Sequence, residues 1–305
     1  MSAATPELAE YELDGLLRFE GHESGLLQGV VTTERCKGRF FLQGAHLVDF
    51  QPTGEEPVLF LSSEAVYRDG KAIRGGVPIC FPWFNAKKLP NGEVDQDSPA
   101  HGLVRQQPWQ MLSSSKEEAG LQVVLGLYCE PYRLEYKLIF GSKLHVSMTI
   151  HNVSEQTQEP EVALHTYFRV ADLGEMTVEG DVVGLPFLDQ LTGETHPAAN
   201  APITFNAETD RIYHGAAPRI DVCDPAAKRK VILESSGSSS TVVWNPWIAK
   251  AARMADFGDE EYQQMCCVET ANIGQDRMRI APHAKTEIGF ELRTETVYSY
   301  PAAAK

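Results

Sequence analysis

Histidine, glutamate and arginine side chains occur in several short segments whose composition suits acid–base chemistry. His165 lies in the run VALHTYFRV, and Glu269 lies in QQMCCVETANI after four largely apolar residues. Imidazole has a pKa of about 6.5 and is the commonest general acid–base near neutral pH. A glutamate at the end of an apolar strand is costly to bury, and burial would raise its pKa and make it a stronger base. Each residue alone also fits an ordinary surface position, on an exposed sheet face or at a strand end.

The segment KAIRGGVPICFPWF, residues 71–84, combines an arginine with residues that make a rigid loop. Arg74 precedes Gly75 and Gly76, which permit close backbone approach or positive φ. Two prolines stiffen the chain, and three aromatic side chains offer flat surfaces. This composition suits a loop that binds an anionic sugar, and it equally suits a structural β-bulge with aromatic side chains in the core.

The segment SPAHGLVRQQPW supplies a second histidine and a second arginine. His101 and Arg105 are four residues apart, so an extended backbone would place both on one face. Either residue alone would be unremarkable. Their occurrence in a segment separate from Arg74 and His165 favours a common cleft.

Strands are expected to position these residues, because patterns of period two recur along most of the chain. In VALHTYFRV, successive side chains of a strand would point to opposite faces. One face, mostly apolar, carries Val162, Leu164, Thr166, Phe168 and Val170. The other face is expected to look toward solvent or a cleft and carries Ala163, His165, Tyr167 and Arg169.

Many short strands separated by turn signals predict an all-β fold, a large antiparallel β-sandwich with a few short helices. The clearest strands are LHVSMTI, TEIGFELR, LQVVLGLYC and KRKVILES, and RFFLQGAHLVDF and PVLFLSS are weaker. Residues 5–19 and 250–265 are the best helix candidates. No composition break divides the chain, so we expect a single domain over residues 1–305, with a core of about 20–295 and peripheral termini.

Composition argues against several classes of function. The net charge of −15 opposes binding to nucleic acid and to anionic membranes, although a local arginine pocket can still hold a small anion. No run approaches the roughly 20 apolar residues of a membrane span, and the N-terminal residues do not resemble a secretory signal. The six cysteines form no CxxC pair, so we expect buried free thiols and a cytoplasmic protein.

Seven segments, taken in order, resemble the D-hexose-6-phosphate mutarotases, or glucose-6-phosphate 1-epimerases, of the aldose 1-epimerase (galactose mutarotase-like) superfamily. They fall within residues 35–293 and read IRGGVPICFPWF, AHGLVR, ALHTYFRV, GLPFLDQ, ETDRIY, VVWNPW and MCCVETANI. The resemblance implies a β-supersandwich, no cofactor, and interconversion of the α and β anomers of a phosphorylated hexose. We expect this small sugar phosphate to be the partner of a monomeric protein that uses no metal.

The resemblance also assigns roles to individual residues. His165 corresponds to the general acid–base of the family, and Glu269 corresponds to its partner. Arg74 and Arg105 correspond to substrate-binding positions. Asp210, in ETDRIY, matches a carboxylate that binds sugar hydroxyls.

His101 is expected to join the substrate-binding group. Some members of the family carry a glutamine just before this histidine, where the present chain has Ala100. One sugar contact is therefore expected to be missing or to be supplied elsewhere. The remaining histidines are expected to lie outside the site: His22, His46, His145, His151, His196, His214 and His283.

Two other functions fit part of the pattern. A non-catalytic carbohydrate-binding protein on the same fold would keep the arginines and aromatic residues but would need neither His165 nor Glu269. A metal-dependent β-sandwich enzyme would use His101, His165 and Glu269 as ligands, although these residues lack the close HxH spacing of such enzymes. The joint presence of His165 and Glu269 favours the epimerase.

Overall fold

The computed structural model describes residues 6–89 and 91–297, and within them the chain forms twenty β-strands. In chain order they are β1 (Leu17–Gly21), β2 (Leu27–Thr32), β3 (Cys36–Phe41), β4 (His46–Pro52), β5 (Ile79–Cys80), β6 (Gln110–Lys116), β7 (Leu121–Cys129), β8 (Tyr132–Phe140), β9 (Leu144–Asn152), β10 (Val162–Leu164), β11 (Tyr167–Arg169), β12 (Thr177–Gly180), β13 (Phe187–Asp189), β14 (Thr195–His196), β15 (Thr209–His214), β16 (Arg219–Asp224), β17 (Arg229–Ser236), β18 (Ser240–Asn245), β19 (Met265–Asn272) and β20 (Lys285–Thr296).

The strands form three antiparallel sheets that share one hydrophobic core. A four-stranded sheet has the order β1-β2-β3-β4, and an eight-stranded sheet has the order β12-β16-β17-β20-β9-β8-β7-β6. The other eight-stranded sheet has the order β14-β13-β15-β18-β19-β10-β5, and β11 also pairs with β19. Phe40, Leu138 and Val268, one from each sheet, belong to the same buried cluster. The predicted antiparallel β-sandwich is therefore confirmed.

Alternation of buried and partly exposed residues explains the long strands. In β9 the apolar positions of LHVSMTI are buried and the intervening positions are half-buried, as the pattern predicts for a sheet with one face on the core. The strands predicted at LQVVLGLYC, KRKVILES and TEIGFELR are also present as β7, β17 and β20. PVLFLSS is not a strand, because it makes only isolated bridges, Leu59 to Phe168 and Leu61 to Gly75.

Within residues 6–89 and 91–297, helix is confined to short segments. One α-helix, α1, spans Trp247–Ala251. The described residues also contain short 3₁₀ helices at Pro6–Tyr11, Val104–Gln106, Asp181–Gly184, Glu261–Gln264 and Gly274–Asp276. No helix of the described part is long and apolar enough to cross a membrane.

Both predicted helices are mostly wrong. The first prediction covers residues 5–19, and residue 5 lies outside the described part. The described residues form a short 3₁₀ helix followed by the start of β1. Leu17 and Phe19 of β1 are buried, and the residue between them is exposed. In residues 250–265 only the two ends are helical. Tertiary contacts replace helical ones there, because the Glu261 carboxylate accepts hydrogen bonds from the Ser62 hydroxyl and the backbone N–H of Ser63 in a distant loop.

The six cysteines are free thiols, as predicted. Five of them are buried, and Cys223 is half-buried.

Two glycines hold loops that carry predicted site residues against the sheets. Gly76 follows Arg74 closely and has φ of +64°, and a Cβ there would collide with a backbone carbonyl of β4. Gly102 follows His101 and has φ of +76°, and a Cβ there would collide with the carbonyl oxygen of Phe81. Both positions need the left-handed backbone and close approach that glycine permits.

Candidate active site

His165 and Tyr167, two members of the predicted polar strand face, lie side by side in a cleft. The run predicted as one strand is interrupted, because the backbone N–H of Thr166 donates to the carbonyl of Leu164 over 2.9 Å and makes a tight turn between β10 and β11. The rings of His165 and Tyr167 still stack, with centroids 4.8 Å apart and 9° between their planes. Arg169, from the same predicted face, does not line the cleft.

Glu269 comes from β19, all eight residues of which are buried. The strand continues to Asn272, so the prediction that Glu269 ends it is wrong. Burial of the polar end is possible because the Asn272 amide donates to the carbonyl of Gly237 and accepts the N–H of Ser239. Glu269 is 1% exposed and lines the cleft from within the sheet.

His165 and Glu269 approach each other in this buried setting. Nδ1 of His165 lies 3.2 Å from Oε1 of Glu269, but neither Nδ1 nor either carboxylate oxygen has an aligned hydrogen-bond partner among residues 6–89 and 91–297. Burial, with the charge of Asp210, raises the pKa of Glu269 well above its usual range. Burial, with nearby charges of His101 and two arginines, lowers the pKa of His165 well below 6.5. The pair is therefore free to exchange protons with a bound molecule.

His101 is held as a neutral donor beside this pair. Its Nδ1 accepts the backbone N–H of Asn85 over 3.3 Å, which leaves Nε2 to carry the proton of the neutral ring. Burial, with nearby positive charges of which Arg105 is the largest, lowers the pKa of His101 to about 3. Its ring centre lies 5.8 Å from that of His165. His101 therefore offers an N–H group at neutral pH.

Arg74 is engaged on two sides. Its Nη2 and Nε donate to the Asp256 carboxylate over 3.1 and 3.3 Å, and its Nη1 donates to the Tyr167 hydroxyl over 3.0 Å. Burial alone would lower the pKa of Arg74, but Tyr167 and Asp256 outweigh it, and the pKa is raised. Arg74 is thus a permanent charge that is partly neutralised by Asp256.

Arg105 keeps most of its donors free. Within the described part of the chain, its side chain donates only to the carbonyl oxygen of Ala100, at 2.8 Å through Nη2. Its Nε is buried and has no partner there. Ala100 therefore contributes through its backbone by anchoring this arginine.

Asp210 belongs to a network of hydrogen-bonded and charged side chains. Gln190 donates to Oδ1 of Asp210 over 2.5 Å, and Asn85 donates to the Gln190 side-chain oxygen over 2.7 Å. Nζ of Lys250 lies 3.7 Å from Oδ2 of Asp210. Burial raises the pKa of Asp210, and Lys250 and Gln190 partly oppose this shift. These groups can both donate to and accept from hydroxyl groups.

All the residues predicted for the site meet in one cleft of about 320 Å³. They are Arg74, His101, Arg105, His165, Asp210 and Glu269. A larger depression of about 720 Å³ lies beside it around residues 252–264, but no histidine lines that depression.

Several cleft residues were not predicted as site residues. Tyr167, Trp244 and Lys250 line the cleft. Tyr167 and Trp244 belong to segments that carry the family resemblance, Lys250 lies shortly after one, and Asn85 directly follows another, so a signal for them existed. Asp256, which pairs with Arg74, has no distinguishing pattern around it. Trp244 packs its ring edge-on against both His165 and Tyr167, with centroids 6.0 Å away in each case, and so fixes the stacked pair.

The seven histidines predicted to have no role do not line the cleft. One of these histidines, His46, nevertheless stabilises a loop of the cleft. Nε2 of His46 donates to the carbonyl of Gly75 over 2.7 Å, and burial lowers the pKa of His46 to about 4. A neutral His46 therefore helps to fix the loop that follows Arg74.

One group in the described part of the chain brings three potential metal ligands together. His165, Cys267 and Glu269 place ligand atoms within 4.8 Å of one another, with Cys267 in place of the His101 of the predicted metal-enzyme alternative. Zinc–ligand distances of about 2.0–2.3 Å require tetrahedral ligand atoms to lie roughly 3.5 Å apart. Burial also raises the pKa of the Cys267 thiol well above 9, which opposes metal binding. Because a metal-binding cysteine must lose its proton, this buried thiol makes the group a poor fit to a metal ion.

Sequence comparisons relate the chain to known proteins. The family model described as aldose 1-epimerase matches residues 30–293. A protein of Escherichia coli strain K12, provisionally named glucose-6-phosphate 1-epimerase, is 33% identical over 252 residues, which cover 79% of this chain and 82% of that protein. A protein of Cenchrus ciliaris with the same provisional name is 32% identical over 270 residues, which cover 82% of this chain and 79% of that protein.

Solved structures show the same architecture. A Salmonella typhimurium protein provisionally named a mutarotase (YeaD) superposes with a TM-score of 0.84 at 27% identity, covering 93% of this chain and 95% of that one. Galactose 1-epimerase from Lactobacillus acidophilus NCFM superposes with a TM-score of 0.68 at 14% identity, covering 92% of this chain and 99% of that one. The similarity to the Lactobacillus protein concerns the fold alone.

Proposed function

Because the chain belongs to the aldose 1-epimerase family and is an isomerase of that kind, we propose that it interconverts the α and β anomers of hexose 6-phosphates, with glucose 6-phosphate as a substrate. The observation that carries this proposal is the His165–Glu269 pair, which is buried, lacks other aligned partners in the described chain and spans 3.2 Å in a polar cleft. Relatives provisionally named glucose-6-phosphate 1-epimerase support the choice of substrate.

In the proposed mechanism the two residues move two protons. Glu269 accepts the proton of the C1 hydroxyl while His165 donates a proton to the ring oxygen, so the bond between C1 and the ring oxygen breaks and C1 becomes an aldehyde. Rotation about C1–C2 then presents the other face of the aldehyde to the C5 hydroxyl. The reverse transfers close the ring as the other anomer. The protein's part in opening and closing the ring is proton transfer, so the proposal includes no cofactor and no metal.

The proton count of the pair suits this cycle. Ionised Glu269 with protonated His165 and neutral Glu269 with neutral His165 contain the same number of protons. The first state is ready to open the ring, and the second is the state that ring opening leaves behind. Burial favours the neutral state, which keeps the open-chain intermediate from requiring two buried charges. Ring closure restores the first state without a proton from solvent.

The polar walls of the cleft are proposed to hold the sugar hydroxyls. Asp210 offers a carboxylate oxygen, and His101 offers the N–H of a neutral imidazole. Asn85 and Gln190 are linked to Asp210 and are fixed by it. Asn85 lines the cleft near Ala100, so we assign to it the sugar contact that was expected to be missing at Ala100.

The phosphate is proposed to bind at Arg105. Only Nη2 has a partner among the described residues, so the remaining N–H groups of the two Nη atoms can pair with phosphate oxygens, which suits the planar fork of a guanidinium. Arg74 is less suitable, because Asp256 already occupies one edge of its guanidinium. Lys250 lines the same cleft and adds positive charge.

The proposal is tested by anomer-exchange NMR on glucose 6-phosphate and on glucose, with and without the protein. We expect the protein to accelerate exchange of glucose 6-phosphate with a higher kcat/KM than that for glucose. Equal values would make it a general aldose 1-epimerase. Binding of the sugar phosphate without accelerated exchange would make it the non-catalytic carbohydrate-binding protein instead.

We further propose that the protein works as a monomer in the cytoplasm and binds neither nucleic acid nor membranes. The net charge of −15 and the six free thiols support these assignments. Light scattering at working concentration tests the oligomeric state, and a mass near twice 33.7 kDa would contradict it.

A further inference from the structure

Tyr167 has a hydroxyl proton that the described structure leaves without an acceptor. Its oxygen receives a hydrogen bond from Nη1 of Arg74 over 3.0 Å. A guanidinium can only donate, so the Tyr167 oxygen must be the acceptor in that contact. The hydroxyl proton therefore points elsewhere, and no acceptor for it occurs among the side-chain and backbone contacts of residues 6–89 and 91–297. Tyr167 is only 1% exposed.

A buried O–H without an acceptor calls for an explanation, because the great majority of buried polar groups are paired. The open space next to this tyrosine is the cleft, which is lined by Tyr167, Arg74 and His165 together. The Tyr167 ring cannot turn away, because it is stacked on His165 and covered at its edge by Trp244. The hydroxyl is thus fixed in a place where a bound molecule can accept its proton.

The contacts behind Tyr167 strengthen it as a donor. Asp256 holds Arg74 on one edge, and Arg74 holds the phenol oxygen on the other. A hydroxyl that accepts a hydrogen bond from a cation becomes a better donor through its own proton. Burial raises the pKa of Tyr167, so the hydroxyl keeps its proton across the physiological range and can donate it in a hydrogen bond while its oxygen accepts from Arg74.

We propose that Tyr167 is a further catalytic residue, whose hydroxyl donates a hydrogen bond to the sugar oxygen that His165 protonates. This inference rests on the epimerase function proposed above. As the bond from C1 to the ring oxygen breaks, that oxygen gains negative charge before its proton arrives. A fixed donor at the oxygen stabilises the transition state more than the closed ring, and so raises kcat. Tyr167 supplies no proton in this scheme, and His165 and Glu269 still perform both transfers.

The test replaces the hydroxyl while keeping the ring. Tyr167→Phe retains the stack on His165 and removes the donor. We expect kcat for anomer exchange to fall about 10- to 100-fold, the effect of losing a hydrogen bond to a charged group, while KM changes by less than about threefold. Incorporation of 4-fluorophenylalanine at position 167 is the second variant, because the fluorine fills the position of the hydroxyl if phenylalanine destabilises the buried stack.

The matched control is Tyr136→Phe. Tyr136 is also buried, and its hydroxyl has no partner in the described residues, but it lies in β8 and does not line the cleft. We expect its kcat to equal that of the wild type. The proposal is overturned if Tyr167→Phe keeps its kcat, if only KM changes, or if Tyr136→Phe loses as much. Absence of exchange in the wild type would overturn the epimerase function itself.

Discussion

Arg74 donates hydrogen bonds from two nitrogen atoms, Nε and Nη2, on one edge of its guanidinium to the carboxylate of Asp256, a residue 182 positions further along the chain. The two arginines that the sequence places in the cleft therefore differ in kind. One is partly neutralised by a carboxylate and holds Tyr167, and the other has unpartnered donors in the described chain. This difference decides which of them is suited to a dianion.

Arg105→Ala is expected to raise KM for glucose 6-phosphate about 10- to 100-fold, as expected for lost charge-assisted hydrogen bonds. KM for glucose should change much less, because glucose has no phosphate. Arg74→Ala should alter both sugars to a similar extent, since Arg74 acts through Tyr167. Steady-state anomer exchange on both sugars measures this. Arg18→Ala is the control, because this side chain is 59% exposed. If Arg74→Ala, and not Arg105→Ala, changed the ratio of KM for glucose 6-phosphate to KM for glucose, the phosphate would have to be assigned to Arg74.

Replacing either member of the acid–base pair should remove most of the catalysis. His165→Asn and Glu269→Gln keep similar shapes but cannot exchange protons, so we expect kcat to fall about 10² to 10⁴-fold. Circular dichroism should show an intact fold. His145→Asn, at a partly exposed histidine outside the cleft, should keep wild-type activity. Wild-type exchange rates in both folded site variants would show that the pair is not catalytic.

Glu269→Gln should also change how stability depends on pH. The pKa of folded Glu269 is raised, so its contribution to stability is complete below the unfolded pKa of about 4.3 and is lost as pH rises toward the folded pKa. Each tenfold difference in proton affinity is worth about 1.4 kcal/mol. Glu269→Gln has no such loss. The free energy of unfolding of this variant minus that of the wild type should therefore increase as pH rises from 5 to 8.

Urea unfolding at several pH values measures this gain. The pKa of His165 is lowered by burial, so both proteins should lose stability as pH falls below about 6.5, the unfolded value. That shared loss serves as an internal reference. A constant difference in unfolding free energy across the range would show that folded Glu269 titrates normally.

Exhaustive chelation is expected to leave anomer exchange unchanged, because the proposed steps are proton transfers. Elemental analysis of the purified protein should find no stoichiometric transition metal. Loss of activity on chelation, with recovery on adding one metal, would point to His165, Cys267 and Glu269 as ligands. In that case Cys267→Ala should abolish recovery, while Cys266→Ala should retain it.

The sequence predicted the cleft more completely than its internal contacts. Strand alternation placed His165 on a polar face, and the resemblance of the ordered segments to the family identified the other predicted site residues. Asn85, Tyr167 and Lys250, which also line the cleft, were not predicted. The pairing of Arg74 with Asp256 had no such signal, because it joins distant segments and Asp256 lies in a stretch of turns. Sequence reasoning therefore gave the two arginines equal roles.

Two errors have local physical reasons. Residues 250–265 are rich in alanine, methionine, glutamate and glutamine, which favour helix, but Glu261 is drawn into contacts with Ser62 and Ser63 instead. The strand through His165 is interrupted because Thr166 bonds back to Leu164. Histidine and threonine are both acceptable in strands, so nothing in their types predicts that turn. The single-domain span of residues 1–305 stays a prediction.

The long separation between Arg74 and Asp256 has a consequence for the order of folding. Their contact, like the pairing of β5 with β10 and of β10 with β19, closes a large loop of chain, and such non-local contacts form slowly. During synthesis the cleft cannot assemble until β19 has left the ribosome, so nascent chains that end before Glu269 hold an incomplete site. In refolding, recovery of anomer exchange should then lag behind recovery of β-sheet circular dichroism, and enzymatic activity becomes a reporter of the last contacts to form.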